Sequence, residues 1–289
     1  MLDFSRLGSE RRWETLGVRS RQEALRQPRT VGIFAAGVLA VIGLGCAAAP
    51  ARAASEPYSG PSFSIPTSAR QLIVVSSRRY DPVDFLANFR TFERADPTSP
   101  WKRVFPTWKA EIGSGGLLDM RREGDHATPT GTYPLGLTMY GNSPNPGGLH
   151  TPYHQLACGD WWDEDPYSSQ YNQFVHIACG FTPTFAAWSE ALWTETDAYP
   201  YFAVIDFNDD PTDSGTEAPG SGIFLHAWVW GPTEGCVALH VPSLLRVLRW
   251  LQPADHPVIE IGTDTEVGSL PPASALPARR PLRKAVAHR

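Results

Sequence analysis

The sequence predicts a mainly β domain with one or two short helices, on three observations. Short β-branched and aromatic runs recur through residues 69–263, turn residues separate them, and one segment repeats its apolar positions at clear helical spacing. The 289 residues are 42% hydrophobic and 19% charged, with 25 Gly and 27 Pro. That composition suits a turn-rich globular chain and excludes collagen, coiled coil and a wholly disordered sequence.

The chain opens with a leader, residues 1–53. Seven arginines lie between Arg6 and Arg29, Val31 to Ala51 carries no charge, and Ala51-Arg52-Ala53 offers a small-residue exit. This is the layout of a secretory signal, with cleavage expected after Ala53. The uncharged run is also long enough to span a bilayer, so an uncleaved anchor through residues 31–51 is the second reading. Both readings place the body outside the cytoplasm, since positive flanks stay inside, and only the second makes the membrane a partner. Residues 54–68, rich in Ser and Pro, read as a linker.

Strands are expected at Gln71–Ser77, Thr107–Ile112, Thr132–Leu137, Phe174–Ile177, Tyr201–Asp206, Gly222–Trp230 and Val258–Ile261. Turn chemistry at Gly113–Gly116, Thr128–Gly131 and Asn145–Gly148 separates several of them. Leu244, Leu245, Leu248 and Leu251 predict one helix, with Pro242 in its first turn and Pro253 as its stop. A shorter helix is expected over Phe185–Leu192. Residues 264–289 turn to Pro, Ala and Arg without periodicity and are expected to form a disordered basic tail.

Net charge is −5; removing the eight Arg and four acids of residues 1–53 leaves 17 basic against 26 acidic groups, or −9. Such a body lacks the basic footprint of a nucleic-acid-binding domain, and no nucleic-acid partner is expected. Phosphate-binding loops, dinucleotide glycine fingerprints and HExxH helices are also missing from the sequence. If Cys46 leaves with the leader, Cys158, Cys179 and Cys236 remain. Export favours a Cys158–Cys179 disulfide, closing a loop of about 20 residues and contributing roughly 3 kcal/mol. Cys236 is then a free thiol.

The densest chemistry lies between Ser221 and His240. In an extended Gly222–Trp230, Ile223, Leu225, Ala227 and Val229 form an apolar face, while Phe224, His226, Trp228 and Trp230 share the other. If Gly231-Pro232 reverses the chain, an antiparallel return sets Cys236 directly opposite His226. A thiol beside an imidazole can yield its proton and act as a nucleophile, with the imidazolium lowering the thiol pKa. Gly235 frees the backbone so that amide N–H groups can face a developing oxyanion. His226, Cys236 and His240 could instead supply metal ligands, but they lack the tight paired spacing of a zinc site, and no metal is expected.

These residues resemble a known family. Ile223-Phe-Leu-His226 followed by Pro232-Thr-Glu-Gly-Cys-Val237 is similar to the His … [Ser/Thr]-x-Gly-Cys signature of L,D-transpeptidase (YkuD-type) catalytic domains. Upstream, Arg122-Glu-Gly-Asp125 with Thr128-Pro-Thr-Gly-Thr-Tyr133 is similar to a second segment of many such domains. The resemblance covers roughly residues 69–263. It implies a β-rich domain of mixed sheets acting on peptidoglycan stem peptides, with Cys236 as nucleophile and His226 as general base. It further implies Gly235 and Cys236 as oxyanion donors and Thr233 as the motif hydroxyl. Glu234, next to the cysteine turn, and Trp228, on the His226 face of the strand, are expected as further substrate contacts on their position alone. Thiol acyl transfer of this kind needs no cofactor, and a monomer is expected. Glu234 stands where the family commonly has His, and Ala238 where an arginine often follows. The resemblance implies cross-linking with release of D-alanine. The alternatives are an L,D-carboxypeptidase or endopeptidase, or a non-catalytic wall-binding module.

Overall fold

Gln71–Ser77 is buried along its whole length, because its two faces enter two different apolar clusters. This strand opens the structure, a computed structural model that describes residues 63–77, 85–209 and 212–267. The expected leader, most of the linker and most of the tail lie outside the described residues.

Eight strands of the ten-stranded main sheet form its ring: β1 (Gln71–Ser77), β2 (Leu86–Glu93), β3 (Trp108–Glu111), β4 (Gly131–Gly141), β5 (Phe202–Ile205), β6 (Phe224–Ala227), β7 (Val237–Leu239) and β8 (Val258–Thr263); the short Lys102–Arg103 and Tyr153–Gln155 add to β2 and β4. Their pairings run β1-β8-β4-β5-β6-β7-β3-β2, and β2 pairs back onto β1, so the sheet closes on itself. β1–β8 and β6–β7 are parallel; the other contacts are antiparallel. Closure removes the open edges that an eight-stranded sheet would otherwise expose.

Alternation fills the ring. Ile73, Phe89, Ile205, Leu225, Val237 and Ile261 point inward. The helix α1 (Val241–Trp250) packs into the same core through Leu244, Val247 and Leu248, followed by Leu251. The expected helix is present with Pro242 in its first turn, but Val247 takes the buried place anticipated for Leu245. The i, i+3, i+4, i+7 set 244, 247, 248, 251 is the truer apolar stripe.

A second, aromatic cluster lies outside the ring on β5 and β6. Phe202 and Phe224 meet Trp162, Leu192 and Tyr199 there, with Trp162 edge-on to Phe224 at 4.9 Å. Trp162 comes from a small sheet in which Asp160–Asp163 pairs with Gln173–His176 and with Glu190–Ala191. A disulfide joins Cys158 to Cys179 across the base of this unit, with Cα atoms 5.3 Å apart.

The expected helix over Phe185–Leu192 does not form. Glu190–Ala191 is instead a strand on Asp160–Asp163, and Leu192–Thr194 makes a 3₁₀ turn. Tertiary contacts override the weak helical propensity: Trp161 packs edge-on against both Phe185 (5.8 Å) and Trp193 (5.0 Å), and Ser189 Oγ accepts the Glu164 N–H at 3.0 Å. At the domain margins, Phe63 and Ile65 pack with buried Val267 against Leu72 and Val74. Residues 63–65 and 264–267 therefore fold with the ring.

Candidate active site

Cys236 and His226 do not meet across a hairpin. β6 and β7 are parallel, with Leu225 opposite Val237 and His226 opposite Ala238. The expected reversal at Gly231-Pro232 fails because residues 228–236 are captured elsewhere. Gly231 N–H donates to Glu111 Oε1 at 2.9 Å, Thr233 N–H donates to the Ile112 carbonyl at 3.0 Å, and Ser114 N–H donates to the Thr233 carbonyl at 2.9 Å. This loop crosses the end of β3 and re-enters alongside β6. The parallel register places Cys236 level with Phe224, so His226 sits diagonally from it on the same outer face. Strand spacing and rise put the two Cα atoms roughly 8 Å apart. Both side chains line one cleft of about 980 Å³.

At the cleft floor Cys236 is 7% exposed. Its Sγ accepts the Phe224 N–H at 3.2 Å and donates to the Gly222 carbonyl at 3.3 Å, the pattern of a neutral thiol. Burial pushes the thiol pKa well above its ordinary value; the Phe224 N–H pulls it back, while Glu190 and Glu164 raise it further. His226 Nδ1 donates to the Ala227 carbonyl at 2.8 Å, which leaves Nε2 as the basic nitrogen. Burial lowers the imidazole to about 4, against the pull of the Ala227 and Ala198 carbonyls. The resting pair is therefore neutral, and the expected thiolate–imidazolium pair is corrected: burial disfavours the charged form of each group.

The group that orients His226 is thus a backbone carbonyl. Asp160 is held between His154 (2.8 Å) and His176 (2.7 Å), and Asp206 lines a second, smaller cavity. Tyr199 adds a wall, its ring edge-on to His226 at 5.4 Å and its hydroxyl donating to Glu190 Oε1 at 2.7 Å. Glu190 is pushed up to about 7 by burial, with the Tyr199 hydroxyl pulling down.

The other anticipated contacts divide. Thr233 Oγ1 donates to the Cys236 carbonyl at 2.7 Å and accepts the Gly235 N–H at 3.2 Å. Thr233 therefore shapes the cysteine turn, and the Gly235 N–H is engaged rather than free for an oxyanion. Gly235 is needed for space: at φ +132° a Cβ would lie 2.9 Å from the Ala127 carbonyl oxygen. Glu234 stands exposed at the rim, with His126 Nδ1 3.6 Å away. Trp228 does not line the cleft; its ring stacks on His240 at 4.3 Å, and Val229 and the exposed Trp230 take the rim position. β6 ends at Ala227 and Trp230 adopts φ 63°, so the alternation does not extend that far. The same stacking occupies His240, and among the described residues no group of three or more His, Cys, Asp or Glu is arranged to hold a metal ion.

The two sequence motifs converge here. Thr128 Oγ1 accepts the Gly113 N–H at 2.8 Å and donates to the Cys236 carbonyl at 3.4 Å. Glu123 accepts hydrogen bonds from the Tyr171 and Ser221 hydroxyls. Arg121, Tyr199, Glu164 and Glu190 also line the cleft and were not singled out in the sequence. Arg121 immediately precedes the Arg122–Asp125 segment without being part of it, and the others come from segments with no local signal.

A family model of the L,D-transpeptidase catalytic domain (YkuD) matches residues 100–261. The chain belongs to that family, whose members act on peptidoglycan peptides. No curated protein and no solved structure shows a significant match to the chain.

Proposed function

We propose that this is an exported L,D-transpeptidase that forms peptidoglycan cross-links through a Cys236 thioester. The observation that carries the reading is the pair of side chains His226, on β6, and Cys236, immediately before the parallel β7, both lining one cleft. His226 Nε2 takes the thiol proton as Sγ attacks the carbonyl after the third stem residue. The C–N bond then breaks and the leaving D-alanine amine takes that proton; an acceptor amine next attacks the thioester, gives a proton to His226 Nε2 as the C–S bond breaks, and that proton returns to Cys236. Starting from a neutral pair, charge develops only as attack proceeds. The Arg-rich leader, residues 1–53, fits delivery to the wall with cleavage after Ala53, or retention through residues 31–51.

The test is incubation with a tetrapeptide muropeptide and an acceptor stem. The expected products are free D-alanine and a cross-linked dimer, both lost in Cys236→Ser. D-Alanine release without a dimer would identify a hydrolase. Failure to release D-alanine, with Cys236 unreactive, would leave a wall-binding module.

A further inference from the structure

Arg121 is 2% exposed yet lines the cleft that holds Cys236. Its guanidinium lies between the Phe207 ring, 5.5 Å from Cζ, and the backbone of Gly220, where a Cβ would come within 2.6 Å of Cζ. One edge reaches the cysteine turn: a Cβ on Gly235 would lie 3.5 Å from Nη1. The charge is poorly matched. Its ion pair is with Asp125, 3.5 Å from Nε, and both Nε and Nη1 lack hydrogen-bond partners. Asp125 is itself engaged by the Arg122 and Ala127 N–H groups. Glu123, the next carboxylate, accepts from Tyr171 and Ser221. Glu164 is held well above the usual carboxylate range, by burial first and then by Glu190, with Arg121 pulling the other way, and it makes no hydrogen bond that satisfies Nε or Nη1.

A buried guanidinium with idle donors is costly unless an anion completes it, and its planar fork suits a carboxylate. We propose that Arg121 binds the free carboxylate of the residue that leaves on acylation of Cys236, so that the site selects peptides ending one residue beyond the scissile bond. This rests on the proposed function and adds to it the residue that sets donor length.

Iodoacetate and iodoacetamide test this without any peptide substrate, since they differ by a carboxylate against an amide. Their rate ratio cancels the thiolate fraction of Cys236. In folded protein the iodoacetate/iodoacetamide ratio at Cys236 should exceed that of the urea-unfolded chain by about tenfold, the worth of a charged hydrogen bond. It should fall to the unfolded value in Arg121→Gln and be largely kept in Arg121→Lys. If Arg121→Gln does not fold, the folded against unfolded comparison of the wild type and Arg121→Lys still decides. A folded ratio no higher than the unfolded one, or one unchanged in Arg121→Gln, overturns the inference and leaves the nucleophile standing. A Cys236 that neither reagent alkylates in folded protein overturns both.

Discussion

The inner and outer faces of β6 and β7 show the same alternation put to opposite uses. Inward, Leu225, Ala227, Val237 and Leu239 join the ring core with α1. Outward, His226 and Cys236 meet an aromatic cluster and a cleft lined by carboxyl groups. The inner face is completed by side chains that need only be apolar and of the right volume. The outer face depends on which side chains arrive from distant segments, because a desolvated thiol and imidazole take their protonation states from those neighbours. Stability therefore concentrates on one face and chemistry on the other, within strands of four and three residues.

The comparison predicts different losses on the two faces. Outward, His226→Ala should slow D-alanine release by about 10²–10⁴-fold, the usual loss for a general base, with little change in melting temperature. Inward, Leu248→Ala should destabilise by about 2–5 kcal/mol in denaturant titration while leaving the per-molecule rate of the folded fraction close to wild type. A Leu248→Ala protein that kept its stability but lost its rate would break the division between the faces. Next, reduction of Cys158–Cys179 or its double Ser replacement should cost roughly 3 kcal/mol, read by chemical denaturation, and loosen the unit carrying Trp162.

The smallest expected effect sharpens the contrast at a position far from the cysteine. Glu260, on β8, is pushed up to about 7 by burial, against the pull of Arg90. A carboxyl raised in the folded state contributes its stability below its unfolded pKa near 4.5, and loses it as pH rises through about 7. Glu260→Gln should therefore raise the melting temperature by a few degrees at pH 8 and scarcely at all at pH 4.5. An equal change at both pH values would contradict this assignment.

Most of the ring was legible in the sequence. Gln71–Ser77 appears with the expected bounds, and five further anticipated runs contain ring strands or their cores. The run of 86–93 was missed because Asn88 and Arg90, on its outward face, interrupt the β-branched signature, although Ala87 and Phe89 point inward. Cys236 and His226 were identifiable from local spacing, but the sense of their strands was not. Gly231-Pro232 looks like a reversal until Glu111 and Ile112, more than 100 residues earlier, take hold of the loop. Tyr199, Glu190 and Arg121 were invisible for the same reason, since only the fold brings them to the cleft. Trp228 was misassigned by extending a period of two beyond Ala227.

The most direct test of the central claim is peptide-mapped alkylation of the folded, disulfide-bonded protein by iodoacetamide across pH 5 to 9. The account predicts an adduct on Cys236, absent in Cys236→Ser, whose rate keeps climbing through pH 8 because the resting thiol is neutral. A folded protein in which Cys236 takes no adduct, or whose rate is already level near pH 6 as for a standing thiolate–imidazolium pair, would contradict it.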